Sequence, residues 1–384
     1  MPRPRLAALS AIAVTLAGLT TALTVASANA DVRPAAACGE LFDDFHYTSH
    51  TDPSLTSHGW SPRSNAGGPG VPGATWAPEN ITFPTVDGDK AAQLASSTDG
   101  TAAGTKHTEL LQSQMRFYEG TYAARIKFSD APVTGADGDR INQTFFTISP
   151  LRYDNDPIYS ELDIAEYLPN GGWGEPVWPV NFETSWHTYQ LEPWSSKNKY
   201  DKQTVSMAGW HTLVATVANG HVKYYVDGVQ MGDHSTISVG GQELSVYPRQ
   251  LMSLNFNHWF IDLTQHTGGL STYHEQIDWV YYAKNQVLTP AGAAGAASAF
   301  RSASVRFKDN LVGDCGTPPP PDPPNPPDPP GPPANCASAP NWNWGTVYLE
   351  GQRVKHTGRL WQARWWTQGS EPGLTAQWQN LGTC

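Results

Sequence analysis

The chain reads as an all-β protein: two stacked antiparallel sheets form a large domain, and a smaller segment follows at the C-terminus. Three observations predict this. Charged residues make up only 15% of the chain while Trp, Tyr and Phe reach 11%, and aromatic side chains fit the pleated surface of a sheet. Tyr122, Ala124, Ile126 and Phe128 alternate with Thr121, Ala123, Arg125 and Lys127, a period of two. Asn219-Gly220 lies between Thr212–Ala218 and His221–Val226, and Asp227-Gly228 follows within a few residues, which predicts two successive hairpins. Helical propensity is confined to Ala291–Ala299, where glycines weaken it. Many short strands over roughly 280 residues imply a sandwich.

The elements fall into order along the chain. Met1 to Ala30 reads as a secretory signal: Arg3 and Arg5 start it, an apolar run follows, and Ala28-Asn29-Ala30 offers a cleavage site. No other apolar run is long enough to span a bilayer, so no membrane association is expected and the mature protein should be exported. Residues 31–315 form the large domain. Residues 316–335 hold twelve prolines; such a tract forms polyproline II and no packed core. At about 3.1 Å per residue it can hold two domains as much as ~60 Å apart. Residues 336–384 form the second module. Four cysteines in an exported chain suggest two disulfides with three possible connectivities. Cys38 and Cys315 bracket the large domain, while Cys336 and Cys384 bracket the small one. The expected pairs are therefore Cys38–Cys315 and Cys336–Cys384. A metal site is the alternative, without a Cys-x-x-Cys spacing to support it.

Net charge limits the partners. Loss of Arg3 and Arg5 with the signal takes the formal charge from −11 to −13. Nucleic-acid binding needs clustered Lys and Arg, so the balance argues against a nucleic-acid partner. A neutral or cationic polymer suits this balance, with the protein working as a monomer.

Glu161-Leu-Asp163-Ile-Ala-Glu166 carries the chemistry: three carboxylates in six residues, separated by apolar or small side chains. Glu161 and Asp163, two apart on a strand, share a face. Glu166 would point away unless one extra residue in a bulge brings it back, and bulges often sit beside active sites. A solvated acidic strand edge is the plain alternative. Acids lined up on one face suit retaining glycoside hydrolysis, in which one carboxylate attacks the sugar carbon and another about 5 Å away donates the proton.

These residues resemble glycoside hydrolase family 16, a β-jelly-roll family whose bulged, laminarinase-like branch carries E-x-D-x-x-E. Leu41-Phe-Asp43-Asp44-Phe45, Phe117 to Lys127, Trp210-His211-Thr212 through Tyr225-Val-Asp227-Gly228, and Ile277 to Tyr281 resemble further family segments in the expected order. The resemblance implies Glu161 as nucleophile, Glu166 as general acid/base and Asp163 as their electrostatic tuner. It implies an endo-acting hydrolase of β-glucan, with β-1,3 linkages expected. A transglycosylase, another polysaccharide substrate (β-1,3-1,4-glucan, galactan, chitin) and a non-catalytic glucan lectin are the alternatives. Asn142-Gln-Thr-Phe-Phe-Thr147 and Gly171 to Trp178 depart from the family pattern. No cofactor is needed for catalysis, and no His-x-x-x-His cluster points to zinc. Relatives often carry a structural calcium away from the cleft, for which Asp278 is the candidate ligand.

Sugars stack on aromatic rings. Trp173 and Trp178 should sit on a loop after the motif, Trp186 and His187 on the next strand, and Trp259 on a further one. Trp178, Trp186, His187 and Trp259 are the candidate substrate contacts, with core packing the alternative for each. The C-terminal segment holds six of the 15 tryptophans in 49 positions. So small a domain cannot bury them all. Tyr348, Gly351, Val354, Gly358 and Ala363-Arg-Trp365-Trp366-Thr367-Gln-Gly369-Ser-Glu-Pro372 resemble carbohydrate-binding module family 5/12. That family implies a three-stranded, chitin-binding module, with Trp365 and Trp366 as first stacking candidates and Trp344 and Tyr348 behind them.

Overall fold

The computed structural model describes residues 39–311 and, within 336–384, all but 337–338, 344–345, 350, 365–366, 368–371 and 373–376. The signal segment, the proline tract, Cys38, Cys315, Trp344, Trp365 and Trp366 lie outside the described residues.

The expected all-β jelly-roll sandwich is observed. One sheet pairs Glu40–Asp43 with Ser271–Lys284, then continues through Gly120–Phe128, Gly209–Ala218, His221–Val226 and Val229–His234. The other runs Trp60–Pro62, Lys106–Phe117, Met252–Phe260, Ile141–Ile148, Glu161–Leu168, Val180–Gln190 and Ser195–Gln203, antiparallel throughout. The two anticipated hairpins form with both turn residues at positive φ: Asn219 at 54° with Gly220 at 77°, and Asp227 at 48° with Gly228 at 83°. Asn, Asp and Gly tolerate this region, and the twist of such a turn matches that of the flanking strands.

Between the sheets the alternation pays off as burial. Tyr122, Ala124 and Ile126 from one sheet meet Leu110, Phe145, Leu162, Ile164 and Phe256 from the other in one apolar cluster. Phe145 and Phe256 stack with centroids 5.0 Å apart. Each large apolar side chain so buried contributes about 1.5–3 kcal/mol.

The outer face of the first sheet is covered by the helix Pro290–Ser302, longer than its glycines suggest. Thr289 caps it by accepting from the Gly292 amide at 3.1 Å, and Pro290 opens it. Ala293, Ala297 and Phe300 recur at helical spacing and pack on Phe42, Ala123, Val214 and Trp279. Asp278 lies beside this helix: Arg125 Nη1 and Arg301 Nη2 each donate to it at 2.6 Å. Two guanidiniums on one carboxylate do not fit a calcium ligand there. No cluster of three or more metal-binding side chains occurs among the described residues.

The C-terminal module is a three-stranded antiparallel sheet of Arg353–His356, Arg359–Ala363 and Trp378–Thr383. Cys336 and Cys384 are joined by the expected disulfide. Tyr348 corrects an expectation. It is only 5% exposed and forms the module's core with Val354, Trp361, Ala363 and Trp378, edge-on to Trp378 at 5.1 Å. A module this small needs a large ring inside, so Tyr348 serves packing and not a polymer face.

Candidate active site

The strand Glu161–Leu168 carries the acids, and its register shows how. Against the preceding strand, Asp163 pairs with Phe146 and Ala165 with Phe145, so Ile164 has no partner. Against the following strand, Asp163 pairs with Thr184 and Glu166 with Phe182, so Ile164 and Ala165 together oppose Glu183 alone. This is a bulge of one extra residue. Its effect is to turn Leu162, Ile164, Ala165 and Tyr167 into the core and leave Glu161, Asp163 and Glu166 on the opposite, outer face. Glu161 and Glu166 are half-buried and Asp163 is 4% exposed.

Each acid has its own donor. Tyr159, fully buried, donates its phenol to Glu161 Oε2. Trp186 Nε1 donates to Asp163 Oδ2 at 2.7 Å. Asn142 Nδ2 donates to Glu166 Oε1 at 3.2 Å, and the Thr184 side chain also bonds Glu166. Burial is the main influence on all three acids and favours their protonated forms. It pushes Asp163 up to about 7 against the Trp186 hydrogen bond. It also raises Glu161 and Glu166 well above the usual carboxylate range; the Asp163 charge adds to both, and the hydrogen bonds named above oppose it. Glu166 also acts on Glu161. The arrangement can therefore hold protonated and ionised carboxyls side by side near neutrality, the requirement for paired acid and nucleophile.

Arg249 locks the frame around Glu161. Its guanidinium donates to the carbonyls of Tyr159, of His187 at 2.6 Å, of Ser245 at 2.6 Å and of Tyr247 at 3.1 Å. Its own amide donates to Ser160 Oγ at 2.7 Å. Burial lowers its pKa to about 10, which leaves it a cation at neutral pH.

The other expected contacts divide. Trp186 touches the acid row through its indole N–H. Trp178 is 46% exposed on the segment after the catalytic strand. Trp259 is only 7% exposed: a Cβ on Gly70 would lie 2.8 Å from its ring, so the Gly70 backbone seals one side, and Trp173 packs 6.0 Å away. His187 occupies a second bulge, between the Trp186 and Thr188 pairings, and its Nδ1 is bonded to the Ser245 carbonyl at 2.7 Å. Alternation puts it on the face opposite Trp186, which corrects the expectation of a substrate contact. Sequence reasoning missed Tyr159, Thr184 and Arg249. Only Tyr159 left a signal, since two positions before Glu161 shares its side of an extended chain. Trp194, also missed, is 62% exposed and packs against Tyr189 and Trp186 at 5.6 and 6.4 Å.

Residues 341–379 match Carbohydrate-binding module family 5/12. Over 43 residues the chain is 46% identical to "Chitinase A" of Pseudoalteromonas piscicida, covering 11% of this chain and 5% of that protein. Over 45 residues it is 44% identical to "Endoglucanase A" of Evansella cellulosilytica, covering 11% and 9%. The chain thus spans less than a tenth of either relative. Among solved structures, Bacillus licheniformis β-glucanase is 16% identical with a TM-score of 0.45, covering 64% of this chain and 98% of that one. A glycoside hydrolase family 16 endo-glucanase from Bacteroides ovatus is 15% identical with a TM-score of 0.44, covering 62% and 98%. Fold and site together define a jelly-roll β-sandwich with three carboxylates gathered on the outer face of one sheet. To it is joined a segment matching a carbohydrate-binding module of family 5/12.

Proposed function

We propose that the chain is a secreted, retaining endo-glycosidase that hydrolyses β-glucan, β-1,3-linked, and is held on chitin-containing polymer by its C-terminal module. The observation that carries this reading is the bulge at Ile164, which gathers Glu161, Asp163 and Glu166 on one face, each with a dedicated donor.

The chemistry follows from the surroundings of each acid. Glu161, receiving the Tyr159 phenol, is the anion; its carboxylate oxygen attacks the anomeric carbon. Glu166 holds its proton and delivers it to the glycosidic oxygen as the C–O bond breaks, leaving a glycosyl ester on Glu161. Glu166, now ionised, takes a proton from water, whose oxygen attacks the same carbon and frees Glu161. Asp163, buried between them, raises the proton affinity of both. Two displacements at one carbon retain its configuration.

An apolar leader at Met1–Ala30 supports secretion, and no helix among the described residues is long and apolar enough to cross a membrane. The module raises the enzyme's local concentration at an insoluble surface without altering the acid chemistry. Product release from laminarin, lichenan, agar, carrageenan and chitin tests the assignment. Soluble oligosaccharides from laminarin are expected, and no release from any β-1,3-linked glucan contradicts it.

A further inference from the structure

Trp173 takes no part in the acid chemistry, yet the fold holds it under strain in an exposed position. It lies between the catalytic strand and Val180–Gln190 with φ at 52°, a left-handed conformation unusual for so bulky a residue. Such strain persists only where the surroundings over-determine it, and it clusters at ligand-binding positions. Here the surroundings are close-packed. A Cβ on Gly172 would come within 2.5 Å of Ile261, and one on Gly171 within 2.0 Å of the Pro176 carbonyl. Glu175 pins the same segment through Lys202 Nζ at 2.5 Å.

So braced, the indole remains 49% exposed. Phe182 and Trp259 back it, each with ring centroids 6.0 Å away. Phe182 is the cross-strand partner of Glu166, which puts Trp173 at the Glu166 end of the acid row. Trp259 is sealed by Gly70 and cannot offer a face of its own.

We propose that Trp173 is a sugar-stacking platform forming the wall of the cleft on the Glu166 side, taking the apolar face of a pyranose ring of the substrate chain. A rigid indole with one free face and an aromatic backing loses little conformational entropy on binding, and pyranose C–H groups pack on such a face. The inference rests on the glycosidase reading and adds to it the residue that grips the polymer.

The test uses the full-length chain carrying Glu161→Gln, which binds without turnover, titrated calorimetrically with β-1,3-gluco-oligosaccharides of increasing length. Adding Trp173→Ala should weaken binding about tenfold and Trp173→Phe about threefold. With Glu161 intact, KM should rise in step while kcat stays within about threefold. As a check independent of the alanine variant's folding, sugar should protect an exposed indole from acrylamide quenching, and Trp173→Phe should abolish that protection. Folded Trp173 variants that bind as tightly as the Glu161→Gln parent, with quenching protection intact, overturn the platform and leave the glycosidase reading standing. A Glu161→Gln chain that binds no β-glucan overturns both.

Discussion

Tyr159 is fully buried, and its phenol rests on Glu161 Oε2 while Arg249 binds its main-chain carbonyl. The donor to Glu161 and the orientation of that donor are therefore set by one packed unit. A donor to the anion favours ionisation, and in the proposed mechanism this contact supports Glu161 as the attacking group. Glu166, bonded by Asn142 at 3.2 Å and by Thr184, carries the proton in that scheme.

Tyr159→Phe should lower kcat about 10–100-fold, because the anion loses its donor and its aim. The acid limb of the kcat/KM profile should move to higher pH, since an unbonded Glu161 holds its proton more tightly. A pH–rate profile superimposable on the parent's contradicts the role.

Asp163 makes stability depend on pH. Burial raises its pKa to about 7, so between the usual carboxylate range and that value the folded chain binds more protons than the unfolded one. Its contribution is full below the unfolded pKa and is lost as pH rises through about 7. Asp163→Asn keeps an acceptor for Trp186 and removes this loss. Urea unfolding should find the variant about 1–3 kcal/mol more stable than the parent at pH 8, with no such gain at pH 3.5. An equal difference at both pH values contradicts the account.

Arg249→Met strands the carbonyls of Tyr159, His187 and Ser245 in a buried frame. A loss of about 2–4 kcal/mol in unfolding free energy is expected, together with a fall in kcat larger than the rise in KM. Arg249→Lys should recover only part, because an ammonium lacks the planar fork that reaches several acceptors. Full recovery by lysine would mean that charge alone matters there.

A chain ended before Gly316 should hydrolyse soluble glucan at the full-length rate and lose retention on chitin, measured by pull-down and reducing-sugar release. Trp365→Ala or Trp366→Ala in the whole protein should weaken retention in the same way, as the likeness of this segment to family 5/12 implies. Slower turnover of soluble glucan by the shortened chain would contradict independent action of the two parts.

The acid row was legible because its chemistry and its spacing conflict: three carboxylates share a face only if the strand skips a residue, and Ile164 is the residue skipped. The hairpins at Asn219-Gly220 and Asp227-Gly228 were legible because positive φ selects those residues. What escaped depends on contacts far apart in sequence. Gly70 covers Trp259 from across nearly two hundred positions, and Arg249 gathers carbonyls from three segments. Tyr348 lies in a motif-rich stretch, yet the need for a core in a small module outweighed display. His187 was misplaced because neighbours on a strand face opposite ways, so it and Trp186 could not both reach the acid row.

The proposed mechanism makes Glu161 the attacking carboxylate, and trapping the covalent intermediate tests that most directly. The protein is treated with an activated 2-deoxy-2-fluoro-β-laminaribioside and the labelled peptide is sequenced by mass spectrometry. One glycosyl adduct per chain, borne on Glu161 and absent from Glu161→Gln, is the predicted result. A label on Glu166 or Asp163, or turnover with inversion at the anomeric carbon, would contradict it.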